Sequence, residues 1–254
     1  MKVVYHPLYA TDYPTASVES PERVEVIRRE LEGRFPFLEP EPAREEDVLL
    51  VHTRRLLEEV KATADLYQVA LLAAGGAIKA AELAAGGEMA FGLIRPPGHH
   101  ASPDHHWGFC FFNNMAIAVE RLIRRGKAER VLVIDIDLHY GDGTANFFSG
   151  REDVVVVNVQ EEDRGRFLEG VEEALEGSFP YDLVALSAGF DRYRLDWGGT
   201  LEGEDFRAIG EMVSRKVREV CPGRVFALLE GGYYLPDLGQ NVLRFLEGLS
   251  SYGG

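Results

Sequence analysis

Cysteine is nearly missing from these 254 residues, which hold only Cys110 and Cys221. Two thiols cannot staple a scaffold, so a disulfide framework is excluded and both are expected to be reduced. Basic residues are also scarce: 27 Lys and Arg stand against 42 Asp and Glu, a formal net charge of -15. Without a basic run the chain lacks the positive surface that phosphate-backbone binding draws on, so nucleic acid is not an expected partner. An acidic surface attracts amines and lysine-rich segments, but it serves solubility equally well and identifies no substrate. No uninterrupted apolar stretch reaches the length of a membrane span, and no membrane partner is expected. The opening MKVVYHPLYA reads as a short strand followed by turn residues, without the long apolar region of a secretion signal, and the expected location is cytoplasmic. No low-complexity run or Pro/Ser/Gly-rich linker divides the chain, so one domain over residues 1–254 is expected.

What is present is ample core material, 46% hydrophobic residues. Residues 68–85 carry Leu71, Ala74, Ile78 and Ala81 at helical spacing, and Gly86-Gly87 supplies a stop. A second helix begins after Asn113-Asn114, with Met115, Ala118, Leu122 and Ile123 on one stripe and Gly126 as terminator. Residues 130–135, 154–159, 183–186 and 224–229 are near-continuously apolar, as strands covered on both faces are. Helical patterns at about 165–176, 203–219 and 236–249 separate or follow them. Strand and helix alternate, which predicts an α/β fold: a single-domain, open, mainly parallel sheet with helices on both faces.

Polar segments sit at the exits of four apolar runs. Asp135-Ile136-Asp137-Leu138-His139 follows one; Arg95 to Ala101, Ser187 to Asp191 and Glu230 to Tyr233 follow the others. Ligands gather outside the carboxyl ends of parallel strands, so these segments are expected to converge on one crevice. On an extended strand Asp137 and His139 project to the same side, and Gly141-Asp142-Gly143 reads as the turn that ends it. With Asp191 they offer one nitrogen and two oxygens, leaving positions open for water and substrate as a catalytic zinc site requires. Iron(II), manganese and cobalt suit the same donors. His99 and His100, held on a Pro-Pro-Gly turn, are candidates for general base, with Asp135 and Asp142 as acidic partners. Tyr233, or its neighbour Tyr234, can offer a hydroxyl to a developing oxyanion. Together these parts describe metal-assisted hydrolysis of an amide or ester.

The ordered segments SPERVEVI, VHTRRLLEEV, ALLAAGGAI, RPPGHHA, GFCFFNN, VLVIDIDLHYGDGT, SAGFD and LEGGYY resemble the histone deacetylase superfamily. That superfamily includes acetylpolyamine amidohydrolases and acetoin-utilisation-type proteins and shares its fold with arginases. SAGFD and EGGYY are closer to the class II and polyamine-deacetylase branches. The resemblance implies zinc on Asp137, His139 and Asp191. It implies a catalytic pair, His99 and His100, bonded to Asp135 and Asp142 respectively, with His100 as general base and Tyr233 polarising the acyl carbonyl. Gly108 and Phe109 resemble the pocket wall, where a glycine carbonyl receives the substrate amide N–H and a phenyl ring flanks an acyl-lysine or acyl-amine stem. A monovalent cation, normally potassium, is implied at Asp135 and the carbonyls around Asp137 and His139, with Asn158-Val159 a weaker match.

The departures shape the expected pocket. Tyr140 stands where a further histidine is common, and Trp107 replaces a small residue or methionine next to the expected foot of the pocket, where its bulk would shorten the acyl cavity. Residues 158–182 lack the Gly-rich loop that carries the opposing aromatic wall, and Phe167 fits core packing better than that role. The expected activity is zinc-dependent deacylation of an acetylated amine, either a small metabolite or a peptide lysine. The alternative is a non-catalytic metal-binding or regulatory member of the same fold. An arginase-like two-metal ureohydrolase would need further Asp and His ligands at the strand ends, which the sequence does not offer.

Overall fold

The computed structural model describes residues 1–251. Its strands are β1 (Lys2–Val4), β2 (Phe37–Leu38), β3 (Ala90–Gly92), β4 (Val131–Asp135), β5 (Val154–Asn158), β6 (Leu183–Ala188) and β7 (Val225–Leu229). They form one sheet in the order β2-β1-β3-β7-β6-β4-β5, and every pairing is parallel. Every residue of β3, β4, β6 and β7 is buried. That is why their sequences read as unbroken apolar runs rather than alternating ones. These same four strands are consecutive in the sheet, so the polar segments at their carboxyl ends open on one crevice.

The helices are α1 (Glu22–Leu31), α2 (Glu45–Val48), α3 (Arg54–Lys61), α4 (Ala64–Ala85), α5 (Asn114–Arg124), α6 (Asp142–Phe148), α7 (Arg164–Glu176), α8 (Gly203–Val220) and α9 (Leu235–Ser250). Right-handed crossovers assign them to faces: steps toward β5 place α4, α5 and α6 on one side, and steps toward β2 place α1, α7 and α8 on the other. The packing agrees, with α4 against α5, α5 against α6, α7 against α8, and α9 against α8 and α1. In α5 the Asn113 side chain accepts the Ala116 N–H at 2.9 Å, and Met115, Ala118 and Leu122 are buried. Each large apolar side chain buried in this way stabilises by about 1.5–3 kcal/mol. By length and composition α4 is apolar enough to cross a bilayer, yet 67% of its apolar window is buried inside the fold, as in the core helix of a layered α/β domain.

Two local expectations need correction. Strand β4 ends at Asp135, so Asp137 and His139 lie in a bend beyond it and strand alternation does not align them. A side-chain turn does: Asp137 Oδ1 accepts the His139 backbone N–H at 2.9 Å. Residues 141–143 do not form an isolated turn either, because α6 starts at Asp142 with Gly141 as its cap. Acidic Asp142 in that first turn suits the helix end.

Candidate active site

Asp137, His139 and Asp191 come together behind the crevice, one ligand atom from each lying within 4.8 Å of the others. Asp137 is fixed by the Gly231 N–H, which donates to Oδ2 at 2.8 Å, and Asp191 by the Leu138 N–H, which donates to Oδ1 at 3.0 Å. His139 turns Nδ1 inward, 3.2 Å from Asp137 Oδ1. Asp191 Oδ2 lies 3.0 Å from the same nitrogen and is buried without a hydrogen bond. Gly189 makes this closeness sterically allowed, since a Cβ there would stand 2.2 Å from Asp137 Oδ2.

The electrostatics ask for positive charge at this point. Burial and the Asp137 carboxylate push Asp191 up to about 6, while the adjacent Asp137 and Asp191 carboxylates pull His139 up to about 10 against the effect of burial. Asp191 and the His139 imidazole thus hold their protons more tightly than usual beside an ionised Asp137, and a divalent cation would displace those protons. The orphaned Asp191 oxygen, the inward Nδ1 and the mixed N/O donor set fit such an ion, and they suit zinc, iron(II), manganese and cobalt alike.

The histidine pair stands beside this trio. His99 Nδ1 lies 3.0 Å from Asp135 Oδ2, and His100 Nδ1 lies 2.7 Å from Asp142 Oδ1, leaving each Nε2 available. Burial opposes charge on His99, but Asp137 and Asp135 outweigh it and raise its pKa well above the ordinary value. Burial and then the neighbouring His99 push His100 down to about 4, so its ring is neutral at neutral pH. Glu230, not expected as a site residue, holds the turn that carries both: its Oε2 accepts the Gly98 and His99 N–H groups at 2.7 and 3.2 Å. It is fully buried, and burial pushes its carboxyl up to about 7. Its signal was a charged residue at the mouth of an apolar strand.

Seven aromatic rings surround a cavity of about 160 Å³ over the trio, those of His99, His100, Trp107, Phe109, His139, Trp197 and Tyr233. Gly108 and Phe109 both have left-handed backbones, φ 58° and 66°, which turn the phenyl ring toward Tyr233, 6.1 Å between centroids. A Cβ on Gly108 would meet His100 Cδ2 at 2.4 Å, so glycine is needed there on both counts. Larger concavities of about 450 and 560 Å³ lie along the β5 edge and beside α4, but neither gathers ligands or paired histidines, so chemistry decides the assignment rather than size.

Trp107 does not sit at the foot of this cavity. It is half-exposed on the rim, its ring 4.0 Å from His100 and its indole N–H donating to Asp142 Oδ2 at 2.9 Å. The indole therefore covers the histidine and leaves the depth of the cavity unchanged. Tyr140 is exposed, and Phe167 is wholly buried, as core packing required. The wall that residues 158–182 lack comes from elsewhere: Trp197, six residues past Asp191, stacks on Tyr233 with centroids 4.3 Å apart. Asp196 anchors it, accepting the Tyr233 and Tyr234 N–H groups at 2.6 and 2.7 Å and that of Trp197 at 2.8 Å. Beneath the Tyr233 ring the buried Arg23 guanidinium lies 4.8 Å from the centroid and donates to Gly232 O at 2.6 Å. A tryptophan in the Asp196-Trp197-Gly198-Gly199 loop was the available signal for this wall, whereas Arg23, inside an ordinary helical stretch, carried none.

Two of the carbonyls implied for potassium are engaged by a side chain. The carbonyls of Asp137 and Val159 accept hydrogen bonds from the Arg192 side chain, at 3.2 Å from Nε and 3.0 Å from Nη2.

Comparison with known proteins agrees with the architecture. The family profile described as the histone deacetylase domain matches residues 17–169. A histone deacetylase-like amidohydrolase from Pseudomonas aeruginosa is 32% identical, over 87% of this chain and 73% of that protein. A probable deacetylase from Methanothermobacter thermautotrophicus is 31% identical over 98% and 90%. The crystal structure of an acetylpolyamine aminohydrolase from Burkholderia pseudomallei superposes with a TM-score of 0.85, covering 99% of both chains at 24% identity. The chain belongs to the histone deacetylase family, and its sheet and helices have the deacetylase/arginase fold.

Proposed function

We propose that this protein is a zinc-dependent amidohydrolase that removes an acetyl or other short acyl group from an amine. The observation that carries this reading is the meeting of the Asp137, His139 and Asp191 trio with two Asp-backed histidines and a phenol around one small cavity. Bound there, a divalent cation would polarise the acyl carbonyl and acidify water. His100 is the general base: Asp142 occupies Nδ1, so Nε2 of the neutral ring takes the proton of the attacking water. His99, with its proton held by Asp137 and Asp135, returns one to the leaving amine. Tyr233 stays a hydrogen-bond donor because burial raises its pKa, and its O–H is the donor that stabilises the oxyanion. Trp197 and Phe109 flank the stem of the amine, and the Gly108 carbonyl receives the amide N–H. A cavity of about 160 Å³ favours a short acyl group.

The test is hydrolysis of acetyl-lysine peptides, acetylpolyamines and small acetylated amines by the metal-loaded protein, with metal content measured alongside. His100→Gln and Tyr233→Phe are expected to keep the metal and each to lose about 100-fold or more in kcat. Stoichiometric metal with no turnover on any of these substrates would instead favour the non-catalytic reading.

A further inference from the structure

Arg192 is charged and 2% exposed. Its hydrogen bonds run to backbone carbonyls and to no carboxylate: Nε to Asp137 O at 3.2 Å, Nη2 to Val159 O at 3.0 Å and Leu138 O at 3.4 Å, Nη1 to Glu161 O at 3.0 Å. Phe167 closes the other side, its ring centroid 4.6 Å from the guanidinium carbon. Convergent carbonyl dipoles around a desolvated positive charge are what a protein offers a bound monovalent cation, and here the chain supplies the charge covalently.

We propose that the Arg192 guanidinium takes the place of an exchangeable monovalent cation and acts as a positioning residue for the metal ligands. Its donors hold the backbone of Asp137-Leu138, which carries Asp137 and leads directly into His139, and its own backbone follows Asp191 directly. One planar group therefore ties the two ligand-bearing loops together. Holding a ligand's support in place changes metal affinity by about 10–100-fold in comparable sites. Unlike a bound potassium ion, this support cannot dissociate, so the site works equally in any monovalent salt.

The proposal rests on the trio being a metal site, but not on which reaction it runs, so zinc affinity and thermal unfolding are the readouts. Both are measured in sodium, potassium and choline chloride at equal ionic strength. The wild type is expected to show the same zinc affinity and unfolding midpoint in all three. Arg192→Ala is expected to lose about 10–100-fold in zinc affinity, and to regain part of it with potassium or dilute guanidinium but not with choline, which is too large for the vacated space. Arg192→Lys, which keeps the charge without the planar fork, should fall between. A potassium-specific gain in the wild type would overturn the proposal. So would an Arg192→Ala protein that no small cation rescues together with an equally impaired Arg192→Lys, since packing on Phe167 would then be the whole role. Should Arg192→Ala not fold, the wild-type salt series decides. Loss of deacylation with these results intact would count against the proposed reaction alone.

Discussion

His52 is expected to make the fold sensitive to acid through the segment that carries the His99 and His100 pair. Its Nδ1 lies 3.0 Å from Ser102 O and its Nε2 accepts the Asn113 N–H at 2.8 Å, so the ring joins the end of that segment to the cap of α5. Accepting an N–H at Nε2 requires a neutral ring, and a proton there would meet a donor. Burial accordingly lowers the pKa from 6.5 to about 4. The unfolded chain protonates near 6.5 and the folded one only near 4. The His52 contribution is therefore complete above pH 6.5, declines as pH falls between these values and is fully lost below about 4. Each tenfold difference in proton affinity between the two states is worth about 1.4 kcal/mol, so the loss is about 3 kcal/mol. For a chain of this size that is roughly 6–12 °C in Tm. Urea unfolding at a series of pH values, wild type against His52→Gln, isolates this residue because the other titrating groups are common to both. The wild-type curve should fall more steeply between pH 6.5 and 4 by that amount. Parallel curves would show that His52 does not stay neutral in the fold.

Removing the bound metal with a chelator should lower the unfolding midpoint and readdition should restore it, since a cation at 100 times its Kd stabilises by about 2.7 kcal/mol. A midpoint indifferent to metal would contradict the ligand assignment. Gly189→Ala puts a Cβ 2.2 Å from Asp137 Oδ2 and is expected to cost at least about 10-fold in metal affinity, read by competition with a chromogenic chelator. Trp197→Ala removes the ring stacked on Tyr233, worth about 0.5–1.5 kcal/mol, and should raise KM roughly 2- to 10-fold with metal content unchanged. Both tryptophans of the chain stand on the cavity rim, so intrinsic fluorescence should respond to an acetylated amine, and Trp197→Phe should remove part of that response.

The sheet was legible because its central strands are covered on both faces and so spell unbroken apolar runs; the polar residue ending each run marked the crevice. Helix α1 was hidden because its buried face includes charged Arg23, which serves the Tyr233 turn rather than the core. Strand β2 has two residues, too few for any period to show. The Asp137 and His139 pairing was anticipated for the wrong reason, a strand alternation where the chain uses a side-chain turn. Short-range patterns also say nothing of the bonds from Arg192 to residues 137, 138, 159 and 161, because these join loops far apart in sequence.

The second aromatic wall and the guanidinium behind the ligand bend have one physical origin. The crevice is walled by loops, and loops tolerate deletion better than the strands that aim them. In place of the Gly-rich loop that the resemblance implied after β5, the loop after Asp191 walls the cavity, because Asp196 pins that loop to the same turn that presents Tyr233. Arg192 starts from the same loop and reaches the carbonyls at the end of β5. A single segment, residues 191–197, thus supplies a candidate metal ligand, the charge behind the ligand bend, the clamp on the tyrosine turn and the second aromatic wall. Changes in this segment should therefore alter substrate range and metal affinity together, whereas changes confined to the Trp107 rim, which touches His100 and Asp142 but none of the trio, should leave metal affinity unchanged.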